Sequence, residues 1–259
     1  PALGVGQGNV VTIIDETADL KQAAAKISAS KTFDNATSCS SENSVVILRE
    51  VYEDAVRAFE QEGGLLLNKT ESDHLVATHW YEGKINRALL AQDIEVIIEY
   101  LGLEERGNNT TKFLMVPTNQ AGPEAILSGE KMSRFFALYV AENFDEAVEI
   151  ALKIQNYQGA GHSLGLHSND DKRAHHLAMV AQTCRIIVNQ AHCFATGGFF
   201  NNGLPFSLSM GCGSWGGNSI DDNLNWTHFV NKVKIVRVIE DNRPELGDVL
   251  SEFWDRQDI

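Results

Sequence analysis

The run Val10-Val-Thr-Ile-Ile14 sets the first constraint on the fold. A short, unbroken, mostly β-branched run suits a strand buried on both faces, and the acidic turn Asp15-Glu-Thr17 ends it. Leu20, Ala23, Ala24 and Ile27 then recur at helical spacing, so a helix follows, with Thr17 or Asp15 expected as its cap. The same alternation continues down the chain. Val45–Leu48 reads as a strand, and Val51–Glu62 as a helix stopped by Gly63-Gly64. Phe113–Val116 and Phe135–Val140 read as strands, and Asn143 with Glu146 forms a capping box for the next helix. Leu164–Ser168, a helix over 172–183 and a strand Arg185–Asn189 complete the series. Apolar strands separated by amphipathic helices predict an α/β fold with a mostly parallel sheet and flanking helices.

Three segments depart from that rhythm. Residues 68–112 are polar and helical in tendency, anchored by Ile85, Leu89, Leu90, Ile94, Ile97 and Ile98. Residues 194–219 are rich in Gly, Asn and Ser, which marks a long loop of the kind that carries function. Phe229–Ile239 alternates apolar and basic residues and predicts an edge strand suited to self-association. The expected organisation is a thiol-bearing catalytic domain over 1–225 and an oligomerisation strand and tail over 226–259.

A chain of 259 residues can bury a full core. Its net charge of -14, with no basic stripe, argues against nucleic acid as a partner. No apolar run approaches the about 20 residues needed to span a bilayer, so no membrane partner is expected. Four cysteines without CxxC or Cys/His spacing predict neither a disulfide framework nor a metal site. That pattern points to a reducing, cytoplasmic setting.

Cys39 lies among Ser38, Ser40 and Ser41, off any hydrophobic stripe, just before Val45–Leu48. Nothing local buries it, and small neighbours admit a substrate carbon, so it is a candidate nucleophile. A small core residue is the competing reading. His162, in the turn Gly159-Ala-Gly-His-Ser163, is the candidate proton acceptor. A structural histidine bonded to backbone is its alternative.

Three stretches read together carry a family resemblance: Leu3-Gly-Val-Gly-Gln-Gly-Asn9, Phe33-Asp-Asn-Ala-Thr-Ser-Cys39 and Gly211-Cys-Gly-Ser-Trp-Gly-Gly-Asn218. In this order they resemble the catalytic half of the CoA-acylating branch of the aldehyde dehydrogenase superfamily. The resemblance implies that Cys39 takes an aldehyde as a thiohemiacetal and carries the acyl group as a thioester. It implies that His162 assists the thiol, and that Glu130 holds the ribose hydroxyls of NAD or NADP. Arg134, where the family has Pro, departs from the pattern beside Glu130. The resemblance also implies a substrate pocket near Asn35, Cys212, Gly213 and Trp215, with Cys212 in a packing role. Val5 stands where hydrolytic relatives carry a water-activating Glu, which fits transfer of the acyl group to CoA.

The activity so implied converts an aldehyde, CoA and NAD(P)+ into acyl-CoA and NAD(P)H. Sulfoacetaldehyde, succinate semialdehyde and acetaldehyde are the candidate substrates, and a homodimer or homotetramer is the expected assembly. The family's nucleotide-binding domain lies outside this sequence, which opens on Pro1 and reads as a fragment. A non-acylating aldehyde dehydrogenase, a cysteine acyl hydrolase pairing Cys39 with His162, and an inactive oligomerising fragment are the alternatives.

Overall fold

A computed structural model describes residues 3–81 and 83–254. In chain order the elements are β1 (Val10–Ile14), α1 (Leu20–Thr32), β2 (Glu42–Leu48), α2 (Tyr52–Gln61), β3 (Gly64–Leu66) and α3 (Lys69–His79). β4 (Trp80–Tyr81), β5 (Lys84–Ile85), α4 (Ile94–Leu101), β6 (Phe113–Pro117), β7 (Phe135–Ala141) and α5 (Phe144–Tyr157) follow. β8 (Leu164–His167), α6 (Asp171–Val180), β9 (Ile186–Val188), α7 (His192–Ala195) and α8 (Leu246–Trp254) complete the series.

Seven strands form one sheet in the order β3-β6-β7-β2-β1-β8-β9, with every pairing parallel. Helices cover both faces, which is why β1 and β2 are buried along their whole length. Successive residues of β2 alternate between two cores. Val45 and Ile47 face Ala23, Ile27 and Phe59 of α1 and α2, while Val46 and Leu48 face Ala147, Ala151 and Ile154 of α5. A third cluster packs Leu75 of α3 and Ile94, Ile97 and Ile98 of α4 against Leu114, Val116 and Phe135. No described helix is long and apolar enough to cross a membrane.

The α/β architecture agrees with the alternation in the sequence, and several local expectations are corrected. Asp19 caps α1 by accepting from the Gln22 N–H, because the Asp15 carboxylate is already engaged by the Thr17 N–H and hydroxyl. Glu146 reaches back to the Glu142 N–H rather than to Asn143, so only half of the expected capping box forms. β3 and the β4–β5 hairpin lie in or beside segments read as glycine stop and polar helix. They are too short to show a period.

Residues up to His228 form one compact unit, and those from Phe229 onward a second. Within the second unit, α8 is the regular element described, and the strand expected over Phe229–Ile239 is not formed. Alternation favours a strand only where another strand offers its N–H and C=O groups, and this segment pairs with none among the described residues.

Candidate active site

Five neighbouring strands bring the sequence candidates together. In the order β7-β2-β1-β8-β9, the segment entering each strand carries respectively Glu130, Cys39, Gly8, His162 and Arg185. Parallel strands start at the same edge, so residues scattered over 178 positions of sequence meet at the amino edge of the sheet. Open α/β sheets more often bind ligands at the opposite, carboxyl edge.

Cys39 is presented by a strained turn. Asp34, Asn35 and Ala36 have φ of 49°, 51° and 61°, in the left-handed region that side chains other than glycine seldom occupy. Asn35 pins this turn by donating through Nδ2 to the Ala91 carbonyl at 3.1 Å and to Asp93 Oδ1 at 3.2 Å. Both of its amide hydrogens are thus engaged, which places Asn35 in support of the turn and not as a free donor in a pocket. Gly8 makes the close approach possible, since a Cβ there would lie 2.1 Å from the Cys39 carbonyl oxygen.

Cys39 Sγ lies 3.2 Å from His162 Nε2. The other ring nitrogen, Nδ1, is 2.7 Å from Ser163 Oγ, which is in turn 2.8 Å from His192 Nε2. His162 is 2% exposed, and burial, reinforced by the Arg185 charge, lowers its pKa to about 4. The imidazole is therefore neutral at physiological pH and able to accept a proton. Cys39 is half-buried by tertiary contacts that its polar flanks do not foretell. Burial raises its pKa, the Ser40 hydroxyl opposes this, and the Glu130 and Cys212 charges add to the rise. The resting pair is a thiol donating to a neutral imidazole.

Arg185 ties the histidine turn to the glycine loop. Its Nη1 donates to the His162 carbonyl at 3.2 Å and to the Gly211 carbonyl at 2.9 Å, and its Nε donates to Asn223 Oδ1 at 3.0 Å. Cys212 is fully buried. A Cβ on Gly161 would meet its carbonyl oxygen at 1.9 Å, and one on Gly216 would meet its Cβ at 2.3 Å. Cys212 therefore packs tightly against the glycine turns that carry His162 and Trp215. Gly213 adopts a φ of 60° in the same loop and faces Cys184 and Asp221. Trp215 is half-exposed and lines a groove of about 530 Å³ with Val5, Gly6 and Ala160.

No family model matches the chain. The sulfoacetaldehyde dehydrogenase (acylating) of Cupriavidus necator is 46% identical over 256 residues, 99% of this chain and 52% of that protein. The succinate-semialdehyde dehydrogenase (acetylating) of Clostridium kluyveri is 36% identical over 236 residues, 91% of this chain and 51% of that protein. The crystal structure of an acetylating aldehyde dehydrogenase from Geobacillus thermoglucosidasius superposes with a TM-score of 0.85 at 31% identity. It covers 93% of this chain and 54% of that one. The chain is homologous to one half of the acylating aldehyde dehydrogenases. It spans about half the length of the curated relatives it matches.

Glu130, the expected cofactor contact, is held by its backbone. Its N–H donates to Gln158 Oε1 at 2.9 Å, and the next N–H, of Lys131, donates to Asn43 Oδ1 at 3.0 Å. The carboxyl is raised by burial, opposed by the Lys31 and Lys131 charges, and it borders a cavity of about 430 Å³ with Trp80, Tyr157 and Gln158. Arg134 turns to Asp93 at 3.7 Å.

The sequence reading passed over Ser163, Arg185, His192 and the buried pair Lys31 and Glu42. Ser163 was adjacent to a named candidate, and Arg185 opened a strand. His192 stood in a stretch without period and gave no signal. Among the described residues no cluster of His, Cys, Asp and Glu could hold a metal ion.

Proposed function

We propose that this chain is the thiol-bearing half of an enzyme that converts an aldehyde, CoA and NAD(P)+ into acyl-CoA and NAD(P)H. The observation that carries this reading is the 3.2 Å contact between Cys39 Sγ and His162 Nε2 at an edge homologous to acylating enzymes. The relatives' names favour sulfoacetaldehyde or succinate semialdehyde as substrate.

In this reading the Cys39 thiol gives its proton to His162 Nε2 as Sγ bonds to the aldehyde carbon. The resulting oxyanion needs donors where its charge develops, and the Cys39 backbone N–H is a candidate. Collapse of the oxyanion expels hydride and leaves a thioester on Cys39. NAD(P)+ supplies the hydride acceptor when bound. The Glu130 carboxylate fits the role of holding its ribose, because among the described residues no hydrogen bond occupies it and it borders an open cavity. His162 releases the Cys39 proton to solvent and then takes the proton of the CoA thiol, whose sulfur displaces Cys39 Sγ as a thiolate; that thiolate recovers the second proton from His162.

One observation favours CoA over water as acceptor. The rival cysteine acyl hydrolase needs an Asn or Asp to orient the histidine, whereas His162 Nδ1 bonds Ser163. The test is NAD(P)H formation from a panel of aldehydes, with and without CoA, by the whole protein that carries this chain. CoA-dependent NAD(P)H that disappears in Cys39→Ala is expected. NAD(P)H formed equally well without CoA would overturn the reading.

A further inference from the structure

The contact between Cys39 and His162 is the first link of a longer chain. Cys39 Sγ, His162, Ser163 Oγ and His192 Nε2 follow one another at 3.2, 2.7 and 2.8 Å. His162, Ser163 and His192 are all at least 98% buried, so no bulk water competes for these links. His192 reaches this position from α7, whose backbone is fixed nearby. The Cys193 N–H donates to Ser30 Oγ, and the Thr196 hydroxyl bonds the His192 carbonyl and lies 2.8 Å from Ser40 Oγ.

A serine hydroxyl has one proton to give and lone pairs to accept with, so a chain running through it has two polarities, each with both histidine rings neutral. In the first, the thiol donates to His162 Nε2, His162 Nδ1–H donates to Ser163 Oγ, and the Ser163 proton points to His192 Nε2. In the second, His192 Nε2–H donates to Ser163, the Ser163 proton points to His162 Nδ1, and His162 Nε2–H donates to the thiolate. The second holds one proton fewer than the first: the thiol proton passes to His162 Nε2, each link hands one proton on, and the proton on His192 Nδ1 is released to solvent. His192 exchanges one ring proton for the other, and no ring has to turn over. His162 can therefore serve the thiol as acceptor and the thiolate as donor in a single orientation.

We propose that Ser163 and His192 are positioning residues that set the tautomer of His162 and, through it, the ionisation of Cys39. The inference rests on the reading of Cys39 as the nucleophile, and it adds two residues that touch neither substrate nor cofactor. Burial acts in the same direction, because it holds His162 at about 4 and His192 well below the ordinary histidine value. Both rings therefore stay neutral, and the chain reverses instead of storing a charge. The charged and titratable groups facing this chain are His167 and Arg185 on the β8 and β9 side, and Glu42 beneath α7. Glu130 and Cys212 face Cys39.

The test is the pH profile of Cys39 alkylation by iodoacetamide in the whole protein, with the site resolved by mass spectrometry from Cys184, Cys193 and Cys212. Ser163→Ala should raise the apparent pKa of Cys39 and slow its alkylation near neutral pH about tenfold. Ser163→Thr, which keeps the hydroxyl, should restore the profile. His192→Leu should shift the profile in the same direction, and the double variant should be no worse than Ser163→Ala, since both break one chain. A wild-type profile in a folded Ser163→Ala variant would overturn the proposal. So would equal losses in Ser163→Ala and Ser163→Thr, which mark a packing role. If Cys39 of the unmodified protein reacts no faster than Cys184, the nucleophile reading itself fails, and this inference with it.

Discussion

At the carboxyl end of β1, Asp15 is fully buried and its carboxylate is met from several sides. The Thr17 N–H and hydroxyl reach Oδ1 at 2.8 and 2.6 Å, and Arg173 reaches Oδ2 at 2.6 Å while also bonding Glu16. At the amino end of the adjacent β2, Glu42 is equally buried, yet no hydrogen bond reaches either carboxylate oxygen, nor the buried Lys31 ammonium. Ser30 and the His192 backbone lie close to Glu42 without meeting hydrogen-bond geometry. The contrast extends to the backbone. Of the six non-glycine residues with positive φ, Asp34, Asn35, Ala36, Ala91 and Met132 cluster around the Cys39 turn. One edge gives its buried carboxylate hydrogen bonds at Oδ1 and an ion pair at Oδ2, and the other holds most of the strained backbone and an unmet charge beside a thiol. Such concentration marks an edge shaped for chemistry at some cost in stability.

The largest effect should come from unbalancing the buried charges. Lys31→Met leaves Glu42 without its counter-charge and should destabilise the protein by about 3–5 kcal/mol in urea unfolding. Adding Glu42→Gln should recover most of that loss. A double variant as unstable as the single one would show that the pair does not act as a unit.

Next comes the glycine beneath the nucleophile. Gly8→Ala places a methyl against the Cys39 carbonyl and must displace the turn, so turnover should fall about a hundredfold. Gly217→Ala gives a steric control in the neighbouring loop, because open space surrounds Gly217, although its φ of 68° carries its own strain. Equal activity in Gly8→Ala and the parent would remove the argument for close packing at Cys39.

The smallest and most discriminating effect is in pH. Burial raises the Glu42 carboxyl from 4.5 to about 7, so its contribution to stability is full below 4.5 and is lost as pH rises toward 7. For Asp15, burial works upward, but the Ser168 and Thr17 hydroxyls, the Thr17 N–H and the Arg173 guanidinium outweigh it and hold the carboxyl below its ordinary value of 3.8. Its contribution is present above 3.8 and is lost as pH falls through the depressed value. Glu42→Gln should flatten the stability curve between pH 4.5 and 7, and Asp15→Asn should flatten its acid limb, each by about 1–3 kcal/mol. Slopes of the same sign in both variants would erase the distinction between the edges.

Much of this was legible in the residues. The β-branched runs at Val10–Ile14 and Val45–Leu48, and the helical spacing after each, specified a parallel sheet covered on both faces. Cys39 and His162 were singled out 123 residues apart, and the structure brings them to 3.2 Å. Leu3–Asn9 was one of the three stretches that carry the resemblance, and within it Gly8 packs on Cys39. Illegible were elements whose formation depends on a distant partner. β3 exists because β6 lies beside it, and the alternating Phe229–Ile239 segment forms no strand within this chain because none of the described residues pairs with it.

The sequence by itself determined the fold class and the chemical types at the site, because periodicity and side-chain chemistry are local properties. Only the tertiary structure decided which of those groups meet, which carboxylates are satisfied and which way each pKa moves. Strand order sets the first, and burial against hydrogen bonding sets the others. Neither is written in any one stretch of the chain. His192 illustrates the limit: an unremarked histidine becomes the end of a hydrogen-bonded chain only when α7 is folded against α1.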